Sequence, residues 1–274
     1  MTEKLAVVAS GGGVTCSYTA GCILGLVDKF KLTNPDVVIG GSGSAGTMAY
    51  YVSGQYKSIR NIWENLLATH KFISYWRFWK VIDIDYLIDD VFKKQDQLQT
   101  DKVYESRIDF LIPMTNIATG MLEYFSNRDR SKNVFEAMRA SKAMPLVYGR
   151  KIQIGESSYC DTRLSANIAA NVEKATQLGA EKIVTFDTSH SSPVVDAAMN
   201  QWVNTMSKTF KRNYDSELNR LRNFDYKELM FLMTPATTPK ASMLESSQKA
   251  LKATVKQGYD DTVNNKELEC YLNS

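Results

Sequence analysis

The segment Gly40-Gly41-Ser42-Gly43-Ser44-Ala45-Gly46 sets two serines among small residues, directly after the apolar run Val37-Val38-Ile39. A serine so placed can act as a nucleophile on a tight strand-to-helix elbow. Small residues two before and two after it let the strained turn close. Ser44 has Ser42 and Gly46 at those distances, and Ser42 has Gly40 and Ser44. Each frame therefore departs from a glycine pair at one position. Ser44 stands directly before a helical stretch, where free N–H groups meet a developing anion. The same residues, taken from Gly41 to Gly46, fit the G-x-G-x-x-G spacing that brings a helix N-terminus up to a pyrophosphate. That chemistry asks for an acidic residue about 20 positions on, at the end of a strand. Glu64 has the separation, but residues 59–67 carry helical spacing. The nucleotide reading lacks its confirming context.

Acyl transfer from a serine also needs donors for the oxyanion and a base for the hydroxyl. Gly11-Gly12-Gly13 follows the apolar run Leu5–Ala9. Consecutive glycines leave N–H groups free to point at an anion. On a parallel sheet, loops after adjacent strands share one carboxyl-end crevice, so this run is expected beside the serine turn. The chain has two histidines. His70 falls in an aromatic stretch and reads as structural. His190 follows the apolar run Lys182–Phe186, on the same side of the sheet. Ser44, Asp161 and His190 follow the Ser…Asp…His order of α/β-hydrolases. Asp161 is also a candidate to act directly on the serine. A carboxylate does so only when tightly placed and partly desolvated, because its pKa in water is about 3.9.

The elements that must position these groups alternate. Short apolar runs at Leu5–Ala9, 36–39, 107–113, 151–154 and Lys182–Phe186 read as strands. Helical spacing covers residues 18–30, 47–52, 56–69, 133–140, 167–178, 194–211, 217–228 and 242–258. Alternation of strand and helix predicts an α/β fold with a mostly parallel sheet. The 274 residues suffice for a single domain spanning 1–274. Residues 70–94 are aromatic and irregular, with Phe72, Tyr75, Trp76, Phe78, Trp79 and Tyr86. They read as a packed helical layer or as a cap over an apolar substrate. Residues 240–270 read as a helical C-terminal region with a frayed end.

A net charge of +3 gives no basic footprint for nucleic acid. Cys16, Cys22, Cys160 and Cys270 have neither zinc-knuckle spacing nor the density of a disulfide framework, so no metal or cofactor is expected. No apolar run is long enough for a transmembrane segment or a signal peptide, which predicts a cytoplasmic protein. Contact with membranes would then be peripheral. Trp76 and Trp79, interleaved with Lys71, Arg77 and Lys80, are candidates for it.

Several ordered blocks resemble the patatin-like lipid acyl hydrolases and phospholipases. Ser10-Gly11-Gly12-Gly13-Val14 is similar to that family's oxyanion loop, followed by Gly21-Cys-Ile-Leu-Gly-Leu26. Ser42-Gly43-Ser44-Ala45-Gly46 is similar to its nucleophile elbow. Ile117-Ala-Thr-Gly120, Ser141-Lys-Ala-Met-Pro145 and Tyr159-Cys160-Asp161 resemble its later blocks. The resemblance implies a patatin-like three-layer α/β/α fold and a serine–aspartate dyad without histidine. Ser44 would be the nucleophile, Asp161 the base, and Gly11, Gly12 and Gly13 the oxyanion donors. The implied substrate is a lipid ester, phospholipid or glycerolipid, cleaved through an acyl-enzyme. The chain departs from the family pattern in three places. Thr15 and Cys16 replace a basic residue and glycine, Ser42 replaces glycine, and Thr162 and Arg163 follow Asp161 in place of glycine and a small residue. Arg163 is thereby a candidate contact for a lipid phosphate, or a charge that weakens Asp161 as a base. These departures motivate a second reading, a catalytically weak or inactive lipid-binding protein of the same fold. A nucleotide-binding α/β protein comes third.

Overall fold

The computed structural model describes residues 3–77, 80–189 and 193–274. Trp79 and His190 lie outside the described residues. A mixed, mostly parallel sheet forms the centre, built from β1 (Leu5–Ala9), β2 (Val37–Gly40), β3 (Asp109–Asn116), β4 (Leu122–Ser126), β5 (Ile152–Ile154), β6 (Ser157–Cys160), β7 (Lys182–Phe186) and β8 (Phe231–Met233). Its order is β5-β6-β3-β2-β1-β7-β8, with β4 paired to β3. The β3-β2-β1-β7-β8 run is parallel, and β4, β5 and β6 join antiparallel.

Helices cover both faces: α1 (Ser17–Phe30), α2 (Ser44–Val52), α3 (Tyr56–Asn61), α4 (Thr100–Glu105), α5 (Val134–Lys142), α6 (Pro145–Tyr148), α7 (Ile168–Gln177), α8 (Pro193–Asn204), α9 (Lys208–Arg222), α10 (Gln248–Val263) and α11 (Lys266–Asn273). Wider π-helical turns occupy Ile62–Leu66 and Tyr86–Gln95. Strand alternation sorts the core. Val7, Ala9, Val38 and Val184 face the side of α1, α2, α5 and α10, whereas Ala6, Val8, Val37 and Ile39 face Ile168, Val172 and Ala175 of α7. Successive strand residues point to opposite faces, so β1 and β2 are apolar throughout because both faces are covered.

The C-terminal region is ordered and packed. Leu268 of α11 is fully buried, and the Tyr271 hydroxyl accepts the Ile183 N–H at 2.9 Å. This corrects the expected frayed end. The stretch 194–211, expected as one helix, divides into α8 and α9, because Ser207 caps the second by accepting from the Phe210 N–H at 3.1 Å. In the aromatic segment, Phe72, Ile73, Ile84, Leu87 and Phe92 are buried while Trp76 is 92% exposed. Arg77 and Lys80 are tied to Asp83 and Asp85.

Candidate active site

β2 ends at Gly40 and α2 begins at Ser44, so the connection turns within Gly41-Ser42-Gly43. At Ser42 the backbone φ is +48°; among the described residues Lys31, in a helix cap, is the other non-glycine with positive φ. A side chain in that region is strained, typically by about 1–3 kcal/mol, and persists only where the surroundings enforce it. The end of α5 does so. Ser42 N–H donates to Ser141 Oγ at 3.0 Å, and Lys142 Nζ donates to the Ser42 carbonyl. Ser44 is different. It is fully buried, and its hydroxyl donates to the Ser10 carbonyl at 2.8 Å.

The glycine run lies against this turn. A Cβ on Gly11 would come within 2.9 Å of Ser42 Cβ, and one on Gly43 within 2.3 Å of the Gly13 carbonyl oxygen. Only glycines allow the two loops to approach so closely. Gly11 N–H donates to Ala166 O at 3.4 Å, whereas those of Gly12, Gly13 and Gly43 have no acceptor among the described residues. Thr15, at a departure from the family pattern, closes the loop from within by donating its hydroxyl to Gly12 O at 2.6 Å. From the far end of the sequence, Met243 O accepts the Val14 N–H at 3.1 Å.

Asp161 follows β6, and its N–H donates to Ala143 O at 3.0 Å, one residue beyond the end of α5. The side chain is buried. Ser165 Oγ donates to its Oδ1 at 2.8 Å, and Ser42 lines the same cleft as the carboxylate. Burial pushes the Asp161 pKa up to about 6, against the opposing pull of Ser42, Ser165 and the nearby Lys142 charge. Such a carboxylate is ionised near neutrality yet basic enough to take a proton.

Thr162 takes no left-handed backbone conformation. Its hydroxyl pairs with Thr115 Oγ1 at 2.8 Å, and its N–H donates to Ser165 Oγ at 2.9 Å. The loop is thus built without the glycine that usually follows the aspartate. Arg163 turns toward α8, bonding Asn200 Oδ1 and lying 3.7 Å from Asp196 Oδ1.

Ser42 lies at the junction of two cavities. One is walled by apolar groups including Tyr50, Ile62, Trp63, Phe72, Leu87 and Phe92, with Lys142 the one charged group among its described lining residues. The other is more polar and is lined by Gly11, Gly12, Gly13, Asp161, Thr162 and Arg163 among others.

Residues 7–172 match the family described as patatin-like phospholipase, over more than half of the chain. The chain belongs to the patatin-like phospholipase family. Among solved structures, VipD from Legionella pneumophila is similar, with a TM-score of 0.60 and 14% identity over 98% of this chain and 67% of that one. At that identity the likeness concerns the fold. No curated protein sequence matches the chain. Patatin-like membership supports lipid ester hydrolysis in general terms and displaces the dinucleotide reading. Consistent with that, Glu64 falls in the Ile62–Leu66 turn and pairs with Arg60, away from any strand end.

The structure brings Asp161 and the glycine run together with Ser42, and leaves Ser44 bonded to the main chain behind the turn. His190 lies outside the described residues. Lys142, Ser141 and Ser165 carry no functional signal in the sequence reading. The block Ser141-Lys-Ala-Met-Pro145 was visible as a resemblance, but nothing in its spacing says that its first two residues grip the elbow. Among the described residues, no group of three or more His, Cys, Asp or Glu side chains is arranged to hold a metal ion, and no helix is long and apolar enough to cross a membrane.

Proposed function

We propose that this protein hydrolyses carboxylic esters of lipids, with Ser42 in place of Ser44 as nucleophile and Asp161 as base. The observation that carries the reading is the position of Ser42. It is a strained serine that lines the same polar cleft as a buried carboxylate and also borders an apolar pocket. The acyl chain would lie in the apolar pocket, and the head group in the cleft beside Arg163. Ser42 Oγ attacks the ester carbonyl while Asp161 takes its proton. The N–H groups of Gly12, Gly13 and Gly43 are available to the oxyanion, the last matching the usual donor that follows an elbow nucleophile. Collapse breaks the C–O bond to the alcohol, which leaves with the proton held by Asp161. Water then attacks the acyl-enzyme, Asp161 takes a proton from it, and the proton returns to Ser42 Oγ as the fatty acid departs.

The inactive lipid-binding alternative rests on three departures, at Thr15 and Cys16, at Ser42, and at Thr162 and Arg163. A loop without backbone strain at Thr162, and an Arg163 engaged with α8, weigh against it. Peripheral membrane contact belongs to the same proposal. Trp76 stands exposed on the segment whose Phe72 and Ile82 wall the apolar pocket, which suits insertion of an aromatic ring at a lipid interface.

A fluorophosphonate probe tests the dyad. Ser42→Ala abolishes labelling and ester hydrolysis. Ser44→Ala keeps both and loses about 1 kcal/mol of stability with its buried hydrogen bond. Asp161→Asn lowers the rate by about 10²–10⁴, while His190→Ala retains it. Full activity in Ser42→Ala ends this assignment. Vesicle flotation measures the membrane arm: Trp76→Ala reduces binding, and unchanged binding removes that arm alone.

A further inference from the structure

Lys142 is 8% exposed, at the last position of α5, and it reaches the catalytic turn from the acyl side. The one hydrogen bond of its ammonium among the described residues goes to the carbonyl of Ser42. A buried ammonium without a bonded carboxylate is costly. A methionine would fill the same space in an apolar wall at no such cost. The residue beside it, Ser141, holds the N–H of the same serine, and the next, Ala143, accepts the N–H of Asp161. Three consecutive residues at the end of one helix therefore fix both members of the dyad.

From this geometry we infer that Lys142 is a positioning residue for the hydrolysis, whose positive charge anchors the Ser42 turn and keeps Asp161 ionised. The inference rests on the Ser42–Asp161 reading above. The ammonium does not touch the reacting atoms. It acts through the Ser42 carbonyl, which it pulls into the left-handed turn, and through the field it exerts on Asp161.

The groups facing it are few. Asp161 and the buried Cys16 thiol are the ionisable groups whose charge bears on it, and Tyr50 is the one other ionisable side chain in the apolar pocket among the described residues. Burial of Cys16 raises its thiol pKa, so it stays neutral and brings no countercharge at pH 7. Burial lowers the Lys142 pKa to about 8, with Asp161 and Cys16 opposing the shift. The charge is thus present at neutral pH and lost as pH rises through about 8. The base needs Asp161 ionised, which sets a lower limb near 6. Activity should form a bell between these two limbs.

The test is the rate of Ser42 labelling by a fluorophosphonate as a function of pH, on the full chain and its variants. The wild type is expected to rise through the lower limb and fall through the upper one. Lys142→Met slows labelling about tenfold or more at pH 7, removes the upper limb and moves the lower limb to higher pH. Lys142→Arg keeps the lower limb and carries the upper limb beyond pH 9, because a guanidinium stays charged. Thermal melts establish that each variant is folded. A wild-type rate that stays flat from pH 7 to 9.5 overturns the inference whether or not a variant folds. So does a rate that climbs through pH 8, which would make the neutral amine a base. A folded Lys142→Met with the wild-type profile also overturns it while leaving the dyad intact. Absence of labelling at Ser42 in the wild type overturns the Ser42–Asp161 reading on which the inference rests.

Discussion

At Ser42 the backbone is held in a conformation that costs energy, and at Ser44 the hydroxyl is spent on a main-chain carbonyl. Under the proposed mechanism, two positions in the same turn divide the work, one offering a nucleophile and the other bracing the loop. Asp161 owes its position to small polar neighbours. Ser165 gives it a hydrogen bond that favours the charged form, so Ser165→Ala is expected to raise the Asp161 pKa. Because the base must be ionised, the lower limb of kcat/KM moves to higher pH by about half a unit to one unit, the scale of one neutral hydrogen bond. Steady-state kinetics from pH 5 to 8 measure it, and an unmoved limb refutes the role given to Ser165. The candidate site was legible in the sequence as far as residue type. Asp161 and Gly11–Gly13 stand out by residue type and by the family resemblance, which is where their proposed roles as base and oxyanion donors come from. The choice between Ser42 and Ser44 was not, since both sit among small residues and only a backbone angle separates them. Lys142 was invisible because a lysine at a helix end ordinarily points to water.

Among the elements, the segment joining α3 to α4 makes the wall of the apolar pocket, and α2 makes its floor. Gly46 of α2 lies under the Phe92 ring, where a Cβ would stand 2.7 Å from Cζ. Gly46→Val narrows the pocket there. Losing room for about two methylenes, at about 0.8 kcal/mol each, should cut turnover of long-chain p-nitrophenyl esters roughly tenfold relative to the butyrate. An unchanged chain-length profile would separate this pocket from the acyl group. The strands show which elements a sequence reveals. β1, β2 and β7 are covered on both faces and therefore read as unbroken apolar runs. β4 and β6 were missed: Leu122-Glu-Tyr-Phe-Ser126 and Ser157-Ser-Tyr-Cys160 mix polar and aromatic groups, and their pairing, β4 with β3 and β6 with β3 and β5, makes them strands. Expected helices formed both with side-chain caps, as at Asn133 and Asn167, and without them, as in α1 and α2. The α8–α9 break shows a short cap signal, Ser207, outweighing continuous helical spacing.

For the molecule as a whole, α10 crosses α1 at almost backbone distance. A Cβ on Gly258 would lie 2.1 Å from Tyr18 O, and one on Gly21 would lie 2.0 Å from Val255 O. Gly258→Ala forces the helices apart and is expected to cost about 1–3 kcal/mol, the usual range for overpacking. A thermal melt would show it as a lowered Tm, and an unchanged Tm would mean that the crossing relaxes freely. The family match ends at residue 172, yet β7 and Met243 lie beyond it and complete the sheet and the glycine loop. That ordering matters while the chain is being made. On the ribosome, β1 pairs early with β2 and carries the Ser42 turn with it, but β7, which covers the other edge of β1, begins only at Lys182. Until then Leu-Ala-Val-Val-Ala presents a bare, sticky edge. A growing chain thus needs shelter for that edge until β7 has been made, and the sheet that carries the Ser42 turn is finished only then.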